Sequence, residues 1–329
     1  MPVTTRSQNK SNNDENMELR ELRNRISLLE ANVKKLEATQ ISYPDPIIEC
    51  ASRLVGNLCH THNIDPSHGI EHAHIVLRHL DKAINFGIKD RQIPISKKRI
   101  QAMRLAALLH DVDDKKYFDT HQTLKNARTI MIKSYVEDDI LEDALMMIRL
   151  VSCSKNGNSY PERAILEPEI LWPRWADRLE AVGEIGIARC FYFSIHKGDK
   201  LYDSETPQCL NRGDILKTAT PERIENYQAN NGKSKSMMDH YYDKLIQIAC
   251  PPKDIVKNMY LENISMIRAE PLFKVCMRYS QMCHIKNDDS LKLEKYRFFN
   301  DMHNLCKKYG LILEGDKMYD LDYAMRWYQ

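Results

Sequence analysis

The sequence predicts an all-α protein. Two observations carry that expectation. Apolar residues recur three and four apart through seven segments, residues 47–62, 71–86, 97–110, 121–133, 138–150, 175–193 and 237–249. No run alternates apolar and polar residues for long enough to build a sheet, and short Gly, Pro or Asn clusters punctuate the segments instead. With 329 residues the chain can bury a large core, as one big domain with appendages or as two ordinary ones.

Taken in order, residues 1–16 are rich in Ser, Thr, Asn and charge, with too little apolar surface to pack, and are expected to be a disordered tail. Residues 17–40 carry a heptad seam, with Leu19, Ile26 and Val33 at a and Leu22, Leu29 and Leu36 at d. β-Branched residues at a with Leu at d favour a parallel pair, in which Glu18 meets Arg23 and Arg25 meets Glu30. A homodimer through residues 17–40 is one expectation. A solvated helix lying on its own domain is the other, because so short an isolated helix is marginal. SYPDP, residues 42–46, opposes helix and reads as a hinge into the domain spanning 42–285. Within it, residues 196–236 read as an extended loop region. Residues 286–329 form a C-terminal extension, helical and then aromatic, with no assigned role.

Composition narrows the function classes. Lys and Arg number 48 against 46 Asp and Glu, so no global charge draws the chain to nucleic acid or to a membrane, and any anion site must be local. The nine cysteines are scattered without a CxxC pair, which fits reduced thiols rather than a disulfide framework or a zinc knuckle. The first residues lack an apolar leader, and no stretch reaches membrane-spanning length, so a cytoplasmic protein is expected.

Seven of the twelve histidines fall between residues 60 and 110. His60, His62, His74 and His79 are best read as surface or satisfied core residues, whereas His68 and His72 share a face if that stretch is helical. AALLHDVDD, residues 106–114, is stronger: a buried apolar run delivers His110 and Asp111 where the apolar pattern stops. Neighbouring residues on a regular helix point about 100° apart, so joint ligation requires the helix to end or distort near there. A divalent cation is the partner that stabilises such acids. WADRLEAVGEIGIAR, residues 175–189, has Asp177 opening an apolar helix as a ligand candidate, a plain N-cap being the alternative. Its Gly183 and Gly186 suit close helix approach, and no phosphate-binding glycine loop is present.

These residues resemble the H…HD…D signature of the HD superfamily of metal-dependent phosphohydrolases. SHGIEHAHIV is similar to its HDxxHxxRV segment, ALLHDVDDKKYF to ALLHDIADWKF, ADRLEAVGEIGIAR to ADRLDAIGAIGIAR, and MMDHYYDKLIQI to INHFYEKLLLL of a bacterial nucleotide pyrophosphohydrolase group. The likeness runs in order over about residues 47–265. It implies an HD-domain helical bundle, here behind a coiled-coil segment. It also implies a metal held by His72, His110, Asp111 and Asp177, with Mn, Mg, Fe, Co or Ni suiting the donor set. By the same resemblance Asp111, Asp114 and His68 are catalytic and Lys116 and Arg178 contact a nucleotide substrate. Asp111 or Asp114 is expected to take a water proton, and His68 to protonate the leaving oxygen. The implied activity is release of pyrophosphate or phosphate from nucleoside triphosphates. A monophosphatase or phosphodiesterase with the same metal, and an inactive scaffold assembled by the coiled coil, are the alternatives. Gly69, Trp175 and Glu184 depart from the family pattern near the site.

Overall fold

Asp45 opens the first helix, α1 (Pro46–Thr61), by accepting from the amides of Ile47 and Ile48, with proline at the first helical position. The chain then builds α2 (Ile70–Arg91), α3 (Lys97–Leu109), α4 (Lys125–Lys133), α5 (Asp138–Val151), the single turn α6 (Cys153–Asn156) and α7 (Trp172–Leu179). After these come α8 (Gly183–Lys197), α9 (Arg212–Thr218) and α10 (Pro221–Ala229). α11 (Met237–His240), a π-helical turn (Tyr241–Leu245) and α12 (Ile246–Ala249) then follow one another without a break, before α13 (Met259–Cys283) and α14 (Asp288–Lys308). This computed structural model describes residues 45–91, 95–119 and 121–311. The 1–16 tail, the 17–40 heptads and residues 312–329 lie outside them. Among the described residues there is no strand, so the all-α expectation holds.

Two apolar clusters organise these helices. The first joins α1 to α5 with α7 and the start of α13, around α3, whose residues Ala102 to Leu109 are all buried. A helix apolar almost all round belongs at the centre of a core, and the exception here, Arg104, is paired with Asp81 at 2.9 Å. The second gathers α8 to α14 around Phe191, Tyr241, Tyr242, Phe273 and Phe298. In α14, Phe298, Phe299, Met302 and Cys306 are buried in this cluster, and the Phe299 ring lies edge-on to Phe191 at 5.1 Å.

Three segments differ from the periodicity. The helix expected over 175–193 is interrupted after Leu179, and the two cores meet at the interruption. Its loose carbonyls are taken by arginines: Arg268 donates to Leu179 O and Arg189 to Glu180 O at 3.2 Å. Gly183 resumes the chain at φ +75°, and a Cβ there would meet the Arg268 side chain at 3.2 Å, so the close approach expected of this glycine is to α13. The 121–133 helix begins only at Lys125, behind a left-handed Leu124. The 196–236 region contains α9 and α10 and is fastened down rather than extended. Asp239 accepts from Thr206 at 2.9 Å, Ser236 at 2.7 Å and Arg223 at 3.1 Å, and Met237 and Met238 donate to Lys200 O and Leu201 O. Periodicity misses this because the ties are polar and local to a loop.

Candidate metal centre

α3 stops at Leu109, and the next four residues turn, with Val112 N donating to Leu109 O and Asp114 N to Asp111 O. The helix end that joint ligation requires is therefore present. It swings His110 and Asp111 toward the same point. His72 comes from the first turn of α2 and Asp177 from α7. His72 Nε2 lies 3.2 Å from His110 Nε2. Asp111 Oδ2 is 3.3 Å from His110 Nε2 and 3.7 Å from His72 Nε2, and Asp177 Oδ1 is 3.3 Å from each imidazole. Among the described residues, His72, His110 and Asp111 are a group whose ligand atoms all lie within 4.8 Å of one another and can hold a metal ion. Asp177 reaches this group through its contacts to both imidazoles. Donors about 2.1 Å from one cation stand roughly 3.0–3.6 Å apart, close to the separations here.

The chemistry of the donors agrees. His110 Nδ1 faces the Ala107 carbonyl at 2.9 Å, which can only accept, so Nδ1 carries a proton and Nε2 faces the cluster. Burial alone would lower the His110 pKa, but Asp111 and Asp177 hold it well above the usual histidine range. Burial opposes ionisation of Asp177, and His110 and then His72 overcome it, keeping that carboxyl well below its ordinary value. A divalent cation held here would neutralise the same two carboxylates in place of a proton on His110.

The surrounding candidates fall in distinct places. His68 closes a 3₁₀ turn, Pro66–His68, before α2 begins, so it does not share a helical face with His72. Its Nε2 is 2.9 Å from Lys116 Nζ and its Nδ1 is 2.8 Å from Ser67 Oγ. Burial, and then Lys116 and Arg189 against the pull of Asp111, lower its pKa. Asp114 accepts from the Lys116 amide at 2.8 Å. Arg178 is only 2% exposed and donates to Asn158 Oδ1 at 2.7 Å and to Gly157 O. It braces the 157–158 turn, and only its buried Nε lacks a partner. Trp175 is buried beneath the Arg178 guanidinium, 4.6 Å from the ring centre. Glu184 turns away to Lys308 and Tyr309 at the end of α14. Of the histidines read as structural, His74 bonds Ser52 at 2.6 Å, and His79 bonds Tyr260 at 2.7 Å and Glu180 at 3.1 Å.

Sequence reasoning passed over three groups. Arg189 donates to Ser67 O at 3.1 Å as well as to Glu180 O, tying the His68 turn to the end of α7. Glu180 accepts from Arg268 and faces His79, joining α2, α7 and α13. Lys244 sits in the π turn within electrostatic reach of Asp177. Arg189 and Lys244 belong to the segments that carried the family likeness, but both stand among other charged residues there. A separate cavity of about 400 Å³ is lined by Lys98, Arg99, Asp139, Asp143 and Arg163. Its charges pair among themselves or with Glu137 and Glu167.

Fold and site together define an all-α protein with a His, His, Asp group that can hold a metal ion, and no helix among the described residues is long and apolar enough to cross a membrane. The chain belongs to the family of uncharacterized protein L803 of Acanthamoeba polyphaga mimivirus. It is 37% identical to that protein over 212 residues, which cover 61% of this chain and 82% of the viral one. A Lactobacillus plantarum protein solved as a structural-genomics target shares the fold, with a TM-score of 0.50 and 22% identity over 73% of this chain and 98% of that one. No family model matches the chain.

Proposed function

We propose that this protein is an HD-type metal-dependent phosphohydrolase acting on nucleotides, releasing pyrophosphate or phosphate from nucleoside triphosphates. The observation that supports it is the meeting of His72 from α2, His110 and Asp111 from the turn that ends α3, and Asp177 from α7, at separations suited to one divalent cation. A cation held by those four residues supplies Lewis acidity toward a phosphoryl oxygen and acidifies an attacking water. Asp111 or Asp114 accepts the water proton. Lys116 neutralises charge that spreads over the phosphoryl oxygens during transfer. The paired His68 and Lys116 deliver a proton to the leaving oxygen. Glu184, engaged with Lys308, adds no negative charge against a polyphosphate substrate.

The test is a product assay on the full-length protein with Mn²⁺ across a nucleotide panel. Release of pyrophosphate or orthophosphate, lost together with metal binding in Asp111→Ala, is expected. Hydrolysis of neither nucleoside triphosphates nor a generic phosphodiester, with Asp111→Ala still binding metal like the wild type, overturns the reading.

A further inference from the structure

Three cations gather where α6, α10 and the π turn approach α7. Arg174 is 1% exposed and Arg178 2%, while Lys244 is half-buried. Among the described residues, no carboxylate lies within ion-pair distance of any of them. Arg174 instead donates to Leu150 O at 2.6 Å and Ser159 O at 2.7 Å, and Arg178 to Gly157 O and Asn158 Oδ1. Both guanidinia flank the Trp175 ring. Carbonyls absorb part of this charge, but Arg174 Nη2, Arg178 Nε and Trp175 Nε1 remain buried without a partner. Burial of Arg174, with Arg178 beside it, drives its pKa down to about 9, which registers how poorly compensated the positive charge is.

Buried donors without acceptors and cations without counter-charges both cost stability, and an anionic ligand relieves both. Lys244 is the member of the group placed to meet one. Its Nζ stands 5.9 Å from the centre of the Tyr227 ring, which α10 supplies, and it is in electrostatic reach of both Asp177 and Arg178. Its position on a π turn is of the kind that recurs at functional sites, because the extra residue re-aims side chains. Gln228, next to Tyr227, donates to Lys155 O at 2.9 Å and so holds α10 against α6. Asp177 is the link to the metal cluster. A lone phosphodiester brings a single negative charge, whereas the terminal phosphates of a triphosphate bring several, matching the excess of cations.

We propose that Lys244, with Tyr227 and the unpartnered Nε of Arg178, forms a distal phosphate subsite that takes the terminal phosphates of a nucleoside triphosphate whose reacting phosphorus lies at the His72, His110, Asp111 and Asp177 cluster. This rests on the phosphohydrolase reading above and deepens it: the group held distally leaves as pyrophosphate.

The test is calorimetric titration of the full chain in Mn²⁺ with α,β-methylene analogues of ATP, GTP, CTP and UTP, each taken singly, and with the matching monophosphates. The wild type is expected to bind at least one triphosphate analogue. Lys244→Met is expected to weaken that binding at least tenfold and the monophosphate less than twofold, and Lys244→Arg to restore it to within about threefold. Lys244→Gln serves if the methionine variant melts early. Equal loss for both ligands, no loss, or no binding of any triphosphate analogue overturns the subsite. Wild-type turnover measured in parallel separates the two ideas. Lys244-dependent binding without turnover sinks the hydrolase reading alone, whereas turnover with Lys244-independent binding sinks the subsite alone.

Discussion

Replacing Glu180 with alanine is expected to loosen the pair of helices that present His72 and Asp177. Glu180 is 8% exposed, accepts from Arg268 Nη1 at 2.8 Å and lies 3.1 Å from His79 Nε2, with His79 two turns beyond His72 on α2 and Glu180 three residues beyond Asp177. Burial opposes its charge, yet His79 and Arg268 hold its pKa at about 2 against an ordinary value of 4.5. At about 1.4 kcal/mol per unit, that difference is worth about 3 kcal/mol. Removing one partner of a buried pair independently suggests about 3–5 kcal/mol, because Arg268 is left without its counter-charge. The larger value applies if Arg268 also releases the Leu179 carbonyl. Thermal unfolding followed by circular dichroism should show a melting temperature lower by about 6–12 °C for a cost of about 3 kcal/mol, and by up to about 20 °C for the larger value, at roughly 2–4 °C per kcal/mol for a domain of this size. Glu180→Gln, which keeps the shape and removes the charge, should recover only part of the loss. Arg268→Ala combined with Glu180→Ala should cost less than the sum of the two, since both break one contact. A melting temperature within about 2 °C of the wild type, or strict additivity, would refute the reasoning.

The same carboxylate sets a pH dependence. Because its folded pKa lies below the unfolded one, its contribution is fully present above about pH 4.5 and is lost as the pH falls toward about 2; acid unfolding of Glu180→Gln should therefore be flatter across that window. Asp113 is 5% exposed and accepts from the amides of Asn126 at 2.9 Å and Ala127 at 2.8 Å, so Asp113→Ala should cost about 1–2 kcal/mol in urea unfolding through loss of the α4 cap. Arg189→Ala frees the Ser67 carbonyl and with it the turn that carries His68. Under the proposed nucleotide hydrolysis, turnover should drop by about tenfold or more, with metal affinity little changed, and equal loss of metal would assign Arg189 to the cluster itself.

Much of this architecture is legible in the sequence because helical periodicity reports burial directly. The stretch from Ala102 to Leu109 is apolar except for Arg104, which pairs with Asp81, and the chain puts it at the centre of the first core. The pairing of His110 with Asp111 is readable for the same reason: the two follow that run, and joint ligation there needs the helix to end or distort beside them. What periodicity does not carry is where one helix stops and another begins inside a continuous apolar pattern. The break after Leu179 depends on Arg268 and Arg189 reaching in from distant segments to take its carbonyls, a contact between residues 88 apart in the first case and 9 in the second. The ordering of 196–236 is hidden likewise, since Asp239, Thr206, Ser236 and Arg223 are unremarkable polar residues until they meet. Charge is the other blind spot. An arginine beside Asp177 suggests a phosphate contact in the linear chain, yet burial and the 157–158 turn engage both of its terminal nitrogens and leave only Nε, while Lys244 is farther along the chain and looks like an ordinary solvated residue.

Anomalous diffraction from crystals of the full-length protein grown with Mn²⁺ tests directly whether the four side chains share one cation. A single strong manganese peak about 2.0–2.3 Å from His72 Nε2, His110 Nε2 and carboxylate oxygens of both Asp111 and Asp177 is the expected result. No peak at the cluster, or a peak that leaves Asp177 outside its coordination shell, would contradict it.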